Sequence, residues 1–123
     1  MTVDFTIGLI PRTKKNSSQI VKFGERMAVI PSKAYKQYEK ACKAYMPQIE
    51  TISAPVNIKA TYFMPTRRKV DLTNLHEALH DILVKYKVIE DDNSRIVVST
   101  DGSRVHYDKD NPRTEVTIEI LEE

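Results

Sequence analysis

The sequence predicts an α+β fold, a two-layer sandwich in which a mixed β-sheet carries two main helices packed on one face. Three observations predict it. The stretch "VNIKATYFM" (56–64) alternates at the two-residue period of a strand. Two other stretches, 32–46 and 71–87, place apolar side chains at helical spacing. The elements follow one another as β-ββ-α-β-α-β-β, an order that one sheet with its helices on a single side accommodates. With 123 residues the chain fits one domain, residues 1–123, around one core.

"VDFTIGLI" (3–10) alternates and then turns apolar, as a sheet strand does, and "PRTKKNSS" (11–18) is a basic, turn-rich loop. "QIVKFGERMAVI" (19–30) divides into two short strands around Gly24. Pro31 and Ser32 open the first helix, with Ser32 as N-cap. In that helix Tyr35, Tyr38, Cys42 and Tyr45 form one stripe, with Lys33, Lys36, Lys40 and Lys43 off it. The strand "APVNIKATYFMP" (54–65) puts Val56, Ile58, Ala60, Tyr62 and Met64 on one face. The second helix, from Asp71 to about Lys87, gathers Leu72, Leu75, Leu79, Ile82, Leu83 and Tyr86 into an apolar arc. Its other side holds Asp71, Asn74, Glu77 and Asp81, with the small Ala78 among them. In "RIVVSTDGSRVHYD" (95–108) Asp101-Gly102 is a hairpin signal. "DKDNPR" (108–113) reads as a turn, and "TEVTIEI" (114–120) alternates as a final strand.

Composition excludes several classes. Hydrophobic residues make up 41% and charged residues 29%, ordinary values for a folded soluble chain rather than a disordered one. No apolar run approaches the ~20 residues of a membrane span. The opening "MTVDFTIGLIPRTKK" has an acid where a signal peptide needs positive charge, so a cytoplasmic location is expected. Cys42 is the single cysteine, which leaves no internal disulfide or cysteine zinc cluster and suits a small core residue. Charge is uneven: residues 1–69 hold 13 Lys/Arg against 4 Asp/Glu, and residues 70–123 hold 6 against 13. A polyanionic partner met by one surface would account for such asymmetry.

The acids themselves are clustered. "VDLTNLHEALHDILVKYKVIEDDNS" (70–94) carries six of them, on one side of the second helix and in the loop behind it. Asp71 and Asp81 lie about 15 Å apart along the helix, too far to share an ion, whereas a loop acid could join Asp71 if the chain returns beside strand 54–65. "HEALH" also matches the H-E-x-x-H zinc helix through His76, Glu77 and His80, with His106 as the one other histidine.

The pattern Asp71, Leu72, Asn74, Leu75, Asp81, Leu83, then Asp91-Asp92, resembles the RusA family of Holliday-junction resolvases. The strand "NIKATYF" ahead of it, the loop with Pro11, Lys14, Lys15 and Asn16, and the tyrosine- and lysine-bearing helix in "MAVIPSKAYKQYEKACKAY" extend the likeness nearly end to end. The resemblance implies a small, homodimeric, Mg²⁺-dependent DNA endonuclease, often phage- or prophage-borne, that nicks a four-way junction symmetrically. It implies catalytic acids at Asp71, Thr73 and Asp92 and a lysine at Glu77, so this chain departs from the pattern at Thr73 and Glu77.

Glu77 can restore the carboxylate lost at Thr73, and Lys14 or Lys15 can supply the missing lysine if their loop folds over the acids. On this reading Asp71 and Asp92 are the primary metal ligands, and Glu77 and Asp91 are ligands or orient water, with Asn74 supporting them by hydrogen bonding. Mg²⁺ is the expected ion, with Mn²⁺ as substitute. Lys14, Lys15, Asn16, Arg67, Arg68 and Lys69 would meet the DNA backbone. Two alternatives stand beside it: a cleavage-dead junction-binding protein, and an H-E-x-x-H zinc hydrolase.

Overall fold

In the computed structural model, which describes residues 1–14, 18–24, 26–31 and 33–121, the order of elements is that expected, with one strand more. These are β1 (Thr2–Ile7), β2 (Ser18–Phe23), β3 (Arg26–Pro31), α1 (Lys33–Cys42), β4 (Val56–Met64), α2 (Leu72–Lys85), β5 (Val97–Ser99), β6 (Arg104–Tyr107) and β7 (Arg113–Ile120). The main sheet runs β1-β7-β4, with β5 and β6 both on the far side of β4. β7 is antiparallel to β1 and β4, whereas β5 and β6 are parallel to β4, so the sheet is mixed. β2 and β3 form a separate antiparallel pair turning at Gly24, whose φ of 61° suits glycine. The Ser32 cap lies outside the described residues.

Alternation decides which face of the sheet is covered. Val3, Phe5 and Ile7 pair in register with Ile118, Val116 and Thr114, and these in turn with Ile58, Ala60 and Tyr62. This face merges with Tyr35, Tyr38 and Cys42 of α1 and with Leu75, Ala78, Leu79, Ile82 and Leu83 of α2 in one core. The opposite face carries Asp4, Thr6, Asn57, Lys59, Glu115, Thr117 and Glu119, none of them buried. Two layers result, as expected. No helix among the described residues is long and apolar enough to cross a membrane.

Both helices differ from expectation at their ends. α1 stops at Cys42 and tightens into a 3₁₀ turn over Lys43–Tyr45. That change of period takes Tyr45 off the stripe to 36% exposure, and Met46 is buried instead. In α2 the buried arc is rotated toward Ala78: Leu72, expected in the core, is 36% exposed in the first turn, while Ala78 is 2% exposed.

The expected hairpin at Asp101-Gly102 does not form. β5 and β6 are two pieces of one edge, each running parallel to β4, and the chain between them makes a tight loop with Gly102 at φ 87°. Asn57 fills the interruption. Its Oδ1 accepts from Ser99 Oγ at 2.5 Å and from the Asp101 amide at 2.8 Å, and its Nδ2 donates to the Asp101 carbonyl at 3.2 Å. Asn57→Ala is therefore expected to cost about 1–3 kcal/mol of unfolding free energy in urea. A change of only a few tenths would show that the edge is held by β4 pairing alone.

Candidate active site and nucleic-acid interface

Helix α2 follows β4 after the segment 65–71. Asp71 is its N-cap, and the Asp71 carbonyl accepts from the amides of Asn74 at 3.1 Å and Leu75 at 3.2 Å. The Asn74 side chain donates to Asp71 Oδ2 at 3.3 Å, so the amide supports that carboxylate as expected. Asp71, Thr73 and Glu77 are exposed. Asp81, two turns and more along the helix, is met from outside: Lys14 Nζ, from the loop after β1, donates to its Oδ2 at 2.5 Å. That hydrogen bond, and then the charges of Asp81, Glu39 and Glu77, raises the Lys14 pKa. Lys14 thus meets the acidic row of α2 at Asp81, a cation in the field of Glu77.

The far end of α2 fixes the loop acids. Lys87 adopts a left-handed φ of 59°, while its amide donates to the Val84 carbonyl and that of Val88 to the Leu83 carbonyl at 2.8 Å. This is a Schellman stop with lysine where glycine is usual. The chain is then clamped to Ile52, whose amide donates to the Val88 carbonyl and whose carbonyl accepts from the Glu90 amide, both at 2.9 Å. Asp91 and Asp92 follow directly. Asp91 organises the turn: Oδ1 accepts from the Asp92 amide at 2.7 Å and Oδ2 from the Asn93 side chain at 3.0 Å.

Asp92 has a raised pKa, through partial desolvation first, then the charge of Asp81 and hydrogen bonding with Asp91. Three acids from α2 and its exit loop therefore feel one another. Asp81, which sequence reasoning did not count among the site residues, is the link. Its signal was available, because it lies on the polar row of α2.

These residues suit a hard divalent cation in part. Their donors are carboxylate oxygens, and the crowding that raises Asp92 is what a bound cation relieves. Among the described residues, however, no group of three or more His, Cys, Asp or Glu side chains is placed to hold a metal ion, so Asp71, Glu77 and Asp92 are not gathered into a closed cage. Mg²⁺ does not need one; it commonly takes one or two carboxylates and completes its shell with water and substrate phosphate. The donor set fits such an open site.

Basic groups lie alongside. A cleft of about 460 Å³ separates the loop Ile10–Thr13 from the chain between Met64 and Val70, with Arg12 on one wall and Arg68 and Lys69 on the other. In sequence, one wall is followed by Lys14 and the other by Asp71. Arg12 is an addition to the expected set. Arg67 turns the other way, its guanidinium 4.3 Å from the centre of the Tyr107 ring. Lys15 and Asn16 lie outside the described residues.

The "HEALH" histidines do not make a zinc centre. Tyr62 Oη lies 2.7 Å from His76 Nδ1, and the His76 and His80 rings stack 5.5 Å apart at 7°. Both Nε2 atoms are buried without a hydrogen-bond partner, and His106 stacks on Phe63 instead. A hydrolytic zinc needs a third protein ligand and an open position for water. Neither is present among the described residues, so the zinc-hydrolase alternative is set aside.

A small α+β domain with carboxylates along one helix, beside an arginine- and lysine-lined cleft, has the make-up of a nuclease. The family model described as endodeoxyribonuclease RusA matches residues 10–119, and the chain belongs to that family. RusA enzymes are endodeoxyribonucleases that resolve Holliday junctions, and they generally depend on a divalent metal. A search of curated proteins returned no significant match.

Proposed function

We propose that this chain is a Mg²⁺-dependent endonuclease that resolves four-way DNA junctions by paired, symmetric nicks, acting as a homodimer in the cytoplasm. The observation that carries this reading is the position of Lys14. The family's pattern has a lysine where Glu77 stands, and Lys14 returns a positive charge to the same acidic row from another part of the chain. A half-exposed ion pair of this kind is worth only about 1 kcal/mol of stability. Its value is therefore positional.

In this mechanism Asp71 and Asp92 would hold the ion, with Glu77 and Asp91 as further ligands or as acceptors that orient the attacking water. The chemistry a bound Mg²⁺ or Mn²⁺ would supply is activation of that water and neutralisation of charge developing on the phosphate. Asn74 keeps the Asp71 carboxylate in one orientation through its hydrogen bond. Asp81 holds Lys14 over the row, where the ammonium faces the scissile phosphate. Arg12, Arg68 and Lys69 seat the flanking backbone. Two cuts related by symmetry require two such sites about a two-fold axis.

The test is nicking of a synthetic four-way junction with Mg²⁺ present, stopped by a chelator. Lys14→Ala is expected to lower the cleavage rate about 10²-fold, the scale of losing one group that stabilises developing charge. Stability should move by less than about 1 kcal/mol. Exchanging the partners, Lys14→Asp with Asp81→Lys, should restore the ion pair and leave cleavage low. Full activity in Lys14→Ala would remove the lysine from its role. The departures at Thr73 and Glu77 favour a second reading, a cleavage-dead junction binder. It predicts salt-sensitive binding and no cutting with any divalent ion.

A further inference from the structure

Resting on that reading, we infer that the surface made by Arg67 and Tyr107 is a stacking site for an unpaired nucleobase. The chain from Met64 to Arg68 is a ridge between two depressions. On one side is the basic cleft with Arg12, Arg68 and Lys69. On the other is a hollow of about 340 Å³ lined by Thr66, Arg67, Arg68, Val105, His106 and Tyr107. Arg68 lines both, so a nucleotide whose phosphate is held by Arg68 can place its base in the second hollow.

The chemistry of that hollow is aromatic and cationic. Tyr107 is 40% exposed on the open edge of the sheet, with Arg67 over its ring. His106, the preceding strand residue, takes the other face and stacks on Phe63, centroids 5.5 Å apart. A solvent-facing tyrosine and arginine are what single-stranded nucleic acid stacks on.

Arg113 gives a contrast. It also covers an aromatic ring, that of Phe63, but it is tied to Asp108 and Glu115, each at 2.9 Å, and has a structural duty. Arg67 has no carboxylate partner among the described residues, so its charge is unspent.

Location agrees. β4 and β6 are parallel and end together, with Met64 opposite Tyr107. The crevice beyond the carboxyl ends of parallel strands, where the crossover helix begins, is where open sheets bind ligands. Here that helix begins at Asp71. A base leaving the stack near the cleaved phosphate would thus find the Tyr107 surface next to the cleft. Paired duplex, whose bases are already stacked, would gain nothing from it.

The experiment compares three DNAs: a four-way junction, a duplex carrying a short unpaired flap, and plain duplex. Tyr107→Ala should weaken binding to the junction and the flap on the order of ten-fold, and leave plain duplex unchanged. Tyr107→Phe keeps the ring and should bind as wild type, while Tyr107→Leu, apolar without a ring, should behave as Ala. With 2-aminopurine in the flap, the quenching seen on binding wild type should survive in Phe and vanish in Ala and Leu. Arg67→Ala should weaken all three DNAs and flatten their salt dependence. Unchanged flap and junction affinity in Tyr107→Ala would overturn the stacking site, as would an equal loss on plain duplex. Junction cleavage by wild type alongside either result would leave the nuclease reading standing, whereas a wild-type chain that bound none of the three would overturn both.

Discussion

Asp92→Asn is expected to lower junction cleavage by about 10²–10³-fold, the range found when one electrostatic stabiliser of a reacting centre is removed. Binding should survive, because the proposed reading places backbone affinity in the basic cleft rather than in the acids. The fold should survive too. Asp92 is held in a setting that disfavours its charge, through desolvation and the nearby Asp81 and Asp91. Replacing it with a neutral side chain of the same shape relieves that pressure, so the thermal midpoint should hold steady or rise. Asp91→Asn is the informative control. Its carboxylate bonds the Asp92 amide and the Asn93 side chain, and an asparagine keeps one acceptor for the first of these. Cleavage should therefore fall less in Asp91→Asn than in Asp92→Asn, as measured on one junction at saturating Mg²⁺. Equal rates for Asp92→Asn and wild type would remove this loop from the chemistry.

The second large effect is on stability in acid. Burial first, and then the neighbouring His76, lowers the His80 pKa from 6.5 to about 4. Burial lowers His76 as well. A histidine with a depressed folded-state pKa stabilises the fold fully above its unfolded value and loses that contribution as pH falls. The window runs from about 6.5 down to about 4, and the His80 shift corresponds to roughly 3 kcal/mol across it. Urea unfolding at pH 7, 6, 5 and 4 should show that decline. His80→Leu removes a buried nitrogen that has no partner, and should flatten the decline while leaving stability at pH 7 equal or higher. A slope unchanged by the substitution would place the acid sensitivity elsewhere.

Local patterns were readable where they agreed with their surroundings. The alternation of Val56, Ile58, Ala60 and Tyr62 gave β4 and its buried face, and the spacing of Tyr35, Tyr38 and Cys42 gave the inward stripe of α1. The turn at Gly24 was legible because a two-strand hairpin needs only near neighbours. What failed depended on distant chain. Asp101-Gly102 has hairpin chemistry, but β4 offers a free edge to both flanking segments, and parallel pairing with it outweighs the local preference.

The site follows the same division. Asp71, Asp91 and Asp92 were visible as a pattern, and the partnership of Asp71 with Asn74 follows from helical spacing. The contact between Lys14 and Asp81 joins residues 67 positions apart, and no periodicity reports it. Arg12 is likewise known only from the far wall of its cleft.

The place of β7 bears on when this activity can arise during synthesis. β7 lies between β1 and β4 and pairs with both. Within the sheet, the strand leading to Lys14 and the strand leading to Asp71 are thus joined through residues 113–120. A ribosome-bound chain that has not yet released those residues has both helices and β1 to β6, but lacks the strand that ties β1 to β4. A chain cleaved ahead of Arg113 should therefore be inert rather than half active.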